Sequence, residues 1–270
     1  MVRSLILLVL VLVLSCCGSG LLQAQEMRVR TTISRMEDEG QWRPFAYSLT
    51  LFHAGKVYDY MEDVGEVVIY EPMNDRFILL DGNYRVAELT ITELNQFLKS
   101  SEAESQKYLE KLAQDGSDQA RKEVDTLKFS LHPKFDERFD AKDQRLRMSS
   151  DQMDYVVKTG STPNPEQAMK YLAYADWAAR LNHILHPKAM LPEPRLVVNS
   201  TLRNRKRIPL TVDLRMRNEG GLRLQAEHQF SWELQAIDKR HITQWENRIS
   251  SKEAVKVSFR DYQRKLVTTK

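Results

Sequence analysis

The stretch Tyr47-Ser48-Leu49-Thr50-Leu51-Phe52-His53-Ala54-Gly55-Lys56-Val57-Tyr58-Asp59-Tyr60 decides the fold. Its apolar residues recur at period two, which sends neighbouring side chains to opposite faces of an extended chain. The spacing predicts a strand over Pro44–Phe52, a turn at Ala54-Gly55 and a returning strand over Lys56–Met61. Gly65 then opens Glu66-Val67-Val68-Ile69-Tyr70, and Pro72-Met73-Asn74-Asp75 turns the chain into Arg76-Phe77-Ile78-Leu79-Leu80. Asp81-Gly82 gives the strongest hairpin signal, because a type I′ turn needs two residues that tolerate positive φ. Short β-rich runs with this punctuation form an antiparallel meander.

The pattern changes beyond Thr90. Thr92 is read as the start of a helix with Leu94, Phe97 and Leu98 on one face; helical character resumes around Tyr108 and stops at Asp115-Gly116-Ser117. Leu127, Phe129 and Leu131 alternate and read as strand, as do Leu146 with Met148 and then Met153, Tyr155 and Val157. Glu166–His186 is the clearest helix, ended by Pro187. A hairpin follows, with Leu210–Met216 and Leu222–Trp232 alternating apolar and polar residues, and then a polar helical tail over 238–265. The order predicts an α+β fold: a curved antiparallel sheet, half-barrel-like, with helices packed on one side. Residues 25–270 are read as a single domain, with a subdomain split near residue 120 as the alternative.

Arg3, the apolar run Leu5–Leu14 and the small residues after it have the form of a secretory signal over residues 1–24. The run is shorter than the about 20 residues that a spanning helix needs. Two processing routes stay open: cleavage after Ala24, or acylation of Cys16 within Val13-Leu14-Ser15-Cys16, which would tether the protein to a membrane. The expected location is extracytoplasmic, in the periplasm or cell envelope. Cys16 and Cys17 are the only cysteines, so removal of residues 1–24 leaves no thiol nucleophile, thiolate zinc site or iron–sulfur ligand. The net charge of +3 is small for a chain with 40 basic and 37 acidic residues, and nucleic acid is not an expected partner.

Catalytic signatures are missing from the sequence. No Gly-x-Ser-x-Gly elbow, P-loop or dinucleotide fingerprint occurs, so no catalytic residue, cofactor or metal is assigned. His183 and His186 share a helix face but lack the carboxylate of a metalloprotease motif, and their place at the helix end suits a hydrogen-bonding role. His228, on the apolar face of the hairpin, reads as a hydrogen-bonded core residue. Arg203, Arg205, Lys206 and Arg207, with Arg215 and Arg217 beyond them, are the candidate patch for an anionic partner. Asn199-Ser200-Thr201 fits a glycosylation acceptor.

Aromatic residues crowd the meander, and several strands are apolar on both faces. Tyr47, Leu49, Leu51, Tyr58, Tyr60 and Tyr70 are the candidate lining of an apolar site. The run over residues 48–60 and Glu66-Val67-Val68-Ile69-Tyr70-Glu71-Pro72 resembles the periplasmic lipoprotein-carrier (LolA-like) half-barrel proteins. In that family a strand reaches a glycine turn, and the chain returns through an aromatic strand and a Tyr-x-Pro turn. The resemblance implies a sheet curled around helices that shelters acyl chains; it does not extend to the longer C-terminal half. The expected function is non-enzymatic binding of an apolar or lipid-like ligand in the envelope. An envelope interaction protein without a small ligand is the alternative, and a hydrolase acting on envelope material is the third.

Overall fold

The structure, a computed structural model, describes residues 26–37, 40–186, 189–217 and 221–268. The stretch read as a secretory signal, with Cys16, lies outside the described residues. Strand β1 (Met27–Met36) joins two meanders. On one side it pairs antiparallel with β2 (Trp42–His53), followed in order by β3 (Lys56–Met61), β4 (Glu66–Glu71), β5 (Arg76–Leu80) and β6 (Arg85–Thr90). On the other side it pairs with β11 (Arg223–Ser231), followed by β10 (Ile208–Met216), β9 (Met153–Gly160), β8 (Arg145–Ser149) and β7 (Asp136–Asp140). A short strand, β12 (Val255–Lys256), adds in parallel to β6, giving a twelve-stranded sheet with two ends. The α+β class and the antiparallel sheet expected from the sequence are therefore present.

Turn chemistry explains the first meander, with one exchange of roles. Ala54 and Gly55 both have positive φ (49° and 78°), so the tight two-residue hairpin lies between β2 and β3. At Asp81-Gly82 the expected type I′ turn does not form. Tyr84 carries the positive φ of 60°, and the Asp81 carboxylate accepts from the Asn83 and Arg85 amides and from Arg85 Nε. An aspartate that binds its own loop this way removes the need for a left-handed glycine.

Six helices complete the described chain: α1 (Ile91–Asp115), α2 (Asp118–Leu131), α3 (Pro165–Leu185), α4 (Glu193–Asn204), α5 (Ala236–Ser250) and α6 (Phe259–Thr268). Thr90 rather than Thr92 caps α1, in a reciprocal capping box with Glu93. The helix then runs unbroken to a left-handed Gly116. The strand expected at Leu127, Phe129 and Leu131 is instead the end of α2, capped by Ser117 through the Ala120 amide. Ala120, Val124, Leu127 and Leu131 recur at 4, 3, 4, which outweighs a three-residue alternation. The polar tail is not one helix: β12 interrupts it between α5 and α6.

Two faces of the sheet bury side chains. On the inner face, Val29, Phe52, Val57, Leu146, Tyr155 and Val157 pack with Tyr171, Leu172 and Tyr174 of α3 and Val198 and Leu202 of α4. Phe77, Leu79, Ala87 and Leu89 continue it under Leu94 of α1, Leu181 and Leu185 of α3, and Phe259 and Tyr262 of α6. On the outer face, Leu49, Leu51, Tyr58, Val67, Ile69, Ile78 and Leu80 pack with Ile242 and Trp245 of α5. Helix α5 thus covers the face opposite the main helical layer, a cover that the sequence reading did not include.

Candidate functional site

Polar groups gather on the inner face, where an apolar core would be expected. Thr31 of β1 and His228 of β11 are paired strand neighbours, and Thr31 Oγ1 lies 2.9 Å from His228 Nδ1. His228 is only 7% exposed, and its Nε2 has no hydrogen-bond partner. Burial, followed by the charge of Arg195, pushes its pKa down to about 3, so the ring is neutral at physiological pH. The Tyr171 ring stands edge-on to His228 at 6.2 Å and to Phe230 at 5.0 Å. Two strands beyond β1, Asp59 accepts hydrogen bonds from the Tyr174 hydroxyl (2.7 Å) and from Thr50 Oγ1 (3.0 Å). Burial raises the Asp59 pKa against these two donors and the pull of Arg195. Tyr174 is also held by ring contacts to Phe52 and Tyr70.

Arg195 ties the site together. It lies in the first turn of α4, is exposed, and makes no hydrogen bond or ion pair to a described residue. Its charge nevertheless acts on Asp59 of β3, Tyr155 of β9, Tyr171 of α3 and His228 of β11. Strands β3 and β9 are five spacings apart, about 24 Å along a flat sheet. One guanidinium acts on both, and Val57 of β3 shares a core cluster with Tyr155 of β9, so the sheet is curved between these strands. Burial also holds the Tyr155 and Tyr171 hydroxyls at pKa values of about 12, so both stay protonated donors.

Of the residues singled out as an apolar lining, only Tyr70 borders this site, through its ring contact with Tyr174. Leu49, Leu51, Tyr58 and Tyr60 lie on the outer face beneath α5, where Trp245 stacks on Tyr58 (6.3 Å) and meets Tyr60 (5.5 Å). The Tyr58 hydroxyl donates to Glu246, which also binds Lys56, and Lys56 reaches Glu71. Tyr70 is on the inner face against Phe77 and Tyr174, and Tyr47 is exposed at 37%. The six residues therefore do not converge. In the basic run, Arg203 pairs with Asp176, Arg205 with Glu137 and across the Phe139 ring, and Arg207 with Thr159. Lys206 remains exposed, so this run is mostly held by the fold's own acceptors and hydroxyls. Asn199, read as a glycosylation acceptor, is buried and donates to Asp176.

A second polar cleft, of about 250 Å³, lies among the covering helices. Ser101 Oγ of α1 is 2.9 Å from His183 Nε2 of α3, and burial lowers the His183 pKa. Glu193 lines the same cleft with a buried, unpartnered Oε2, and burial, reinforced by the charge of Glu102, raises its pKa. Among the described residues no group of three or more His, Cys, Asp or Glu is placed to hold a metal ion.

No family model matches the chain, and no curated protein matches it. Asp59 was legible in principle, since it is the one acid on a strand face that otherwise carries Val57 and Met61. Arg195 offers no such signal, because only the curl of the sheet brings it to its neighbours.

Proposed function

We propose that the protein is a non-enzymatic, extracytoplasmic carrier of an apolar or lipid-like ligand, held on the inner face of the sheet beneath α3 and α4. The observation that carries this reading is the unpartnered Nε2 of His228, buried among aromatic side chains within the field of Arg195. An unsatisfied buried polar atom costs about 1–3 kcal/mol. A ligand with an apolar body and a polar end, inserted beside the Tyr171 and Phe230 rings that flank His228, would supply the missing partner. The outer face, packed under Trp245, has less to offer a ligand. The test is mass spectrometry of protein purified gently from its native host, intact and after organic extraction. The expected result is a stoichiometric co-purified lipid; protein that repeatedly emerges clean would overturn the carrier reading and leave an interaction protein in its place.

A second reading, a serine hydrolase, draws support from the Ser101–His183 contact. A neutral imidazole 2.9 Å from a hydroxyl can take its proton as the oxygen attacks an ester carbonyl. A fluorophosphonate probe should then label Ser101, and labelling should vanish in His183→Gln. Absence of label on the Ser101 peptide would end this reading.

A further inference from the structure

The outer face divides in two: α5 covers it over β2–β6, and no described helix covers it over β7–β11. We propose that this second half is a docking surface for an anionic lipid bilayer. Along β8 and β9, Leu146, Met148, Tyr155 and Val157 point into the core, so Arg145, Arg147 and Lys158 occupy the opposite face. Strand register then sets like charges directly against each other: Arg138 opposite Arg147, Arg145 opposite Lys158, and Arg215 opposite Arg223. Directly opposed side chains start only about 5 Å apart, and like charges there destabilise a sheet. None of the six has an ion pair to a described residue. Acids share this face: Asp140 stands opposite Arg145 while its carboxylate also accepts from the Lys142 and Asp143 amides, and Asp136 stands opposite Ser149 and Glu227 opposite Thr211. Asp154 accepts from Arg217 Nε and Nη2 at 2.8 Å, and Asp213 accepts from Gln225. The cations still outnumber the acids on this face, and three of their pairs are directly opposed, an arrangement that an external anion would relieve.

The layout selects the kind of anion. The six cations spread over β7 to β11, four strand spacings or about 19 Å, and over successive rows two residues apart along each strand. Such a two-dimensional field matches a plane of headgroups, whereas a linear polyanion would be met by a single row. The chain's net charge of only +3 places this field in local arrangement rather than in overall composition. The surface is independent of whether a ligand occupies the inner face.

The experiment uses the chain from Gln25 onward, which holds every described residue, and measures co-sedimentation with vesicles of phosphatidylglycerol and phosphatidylcholine. Binding should require the anionic lipid and fall steeply with added salt. At about 1 kcal/mol per cation, or roughly fivefold each, the variant R147Q/K158Q/R215Q should lose about 100-fold in affinity. Each substitution removes one member of a like-charge pair, so its melting temperature should be unchanged or higher, which separates lost binding from lost folding. Equal binding to pure phosphatidylcholine, or an unaltered affinity in the folded variant, would overturn the proposal. So would retention on heparin without binding to vesicles, an outcome that assigns the face to a linear polyanion.

Discussion

His228 shows how one residue can be read correctly and still be incompletely understood. Its place on the apolar face of an alternating strand marked it as a hydrogen-bonded core histidine, and Thr31 fulfils that reading. Its second nitrogen and its neighbours come from strands distant in sequence and were invisible at that level. The titration has a consequence for stability. The folded pKa, about 3, lies below the ordinary value of 6.5. As pH falls below about 6.5 the unfolded chain takes up a proton that the folded chain refuses, so stability present above that pH is progressively lost. One such group removes about 1.4 kcal/mol per pH unit, or about 2 kcal/mol by pH 5. Substituting His228→Gln should flatten the decline in urea-unfolding free energy between pH 6.5 and pH 5 by that amount. Parallel curves for the two proteins would show that His228 is protonated in the fold.

At the scale of elements, legibility tracked how local the deciding physics was. Strands β3, β4 and β5 and helix α3 announced themselves because periodicity, turn residues and caps agree within a few residues. Helix α2 was misread because Leu127, Phe129 and Leu131 satisfy two periods at once; Ser117 and Ala120, ten residues earlier, break the tie. Strand β1 escaped notice for a different reason. Its Arg28, Arg30, Thr31 and Thr32 look like a polar lead-in, and only the two partners it acquires make it a central strand. Arg28 there reaches Asp238 of α5 at 3.2 Å, and Arg30 reaches Glu62, so its polar side chains are used by the tertiary structure. The candidate site suffered most from this limit. The aromatic meander correctly indicated two apolar faces, but which face is sealed depends on α5, and α5 carries no mark of where it will dock.

For the whole molecule, the central question is whether the two meanders are separate bodies, as a boundary near residue 120 would have them. Each is a run of sequential antiparallel strands, and β1 hydrogen-bonds to both. The inner core also crosses that boundary, since Val29, Phe52 and Val57 share a cluster with Leu146, Tyr155 and Leu214. Breaking β1 should therefore break everything. Proline cannot donate to the ladder and is not tolerated in a central strand, and Val29 is fully buried between Thr50 and Phe230. Val29→Pro should abolish the cooperative unfolding transition and remove hydrogen-exchange protection from β4 and β9 alike. A proline at exposed Val255, on the edge strand β12, should leave that transition in place. If Val29→Pro instead preserved protection in β7–β9 while β2–β6 exchanged freely, the two halves would be independent folding units. The curl that brings Arg195 to both Asp59 and Tyr155 would then be a product of docking, and ligand binding on the inner face would have to be coupled to assembly of the halves.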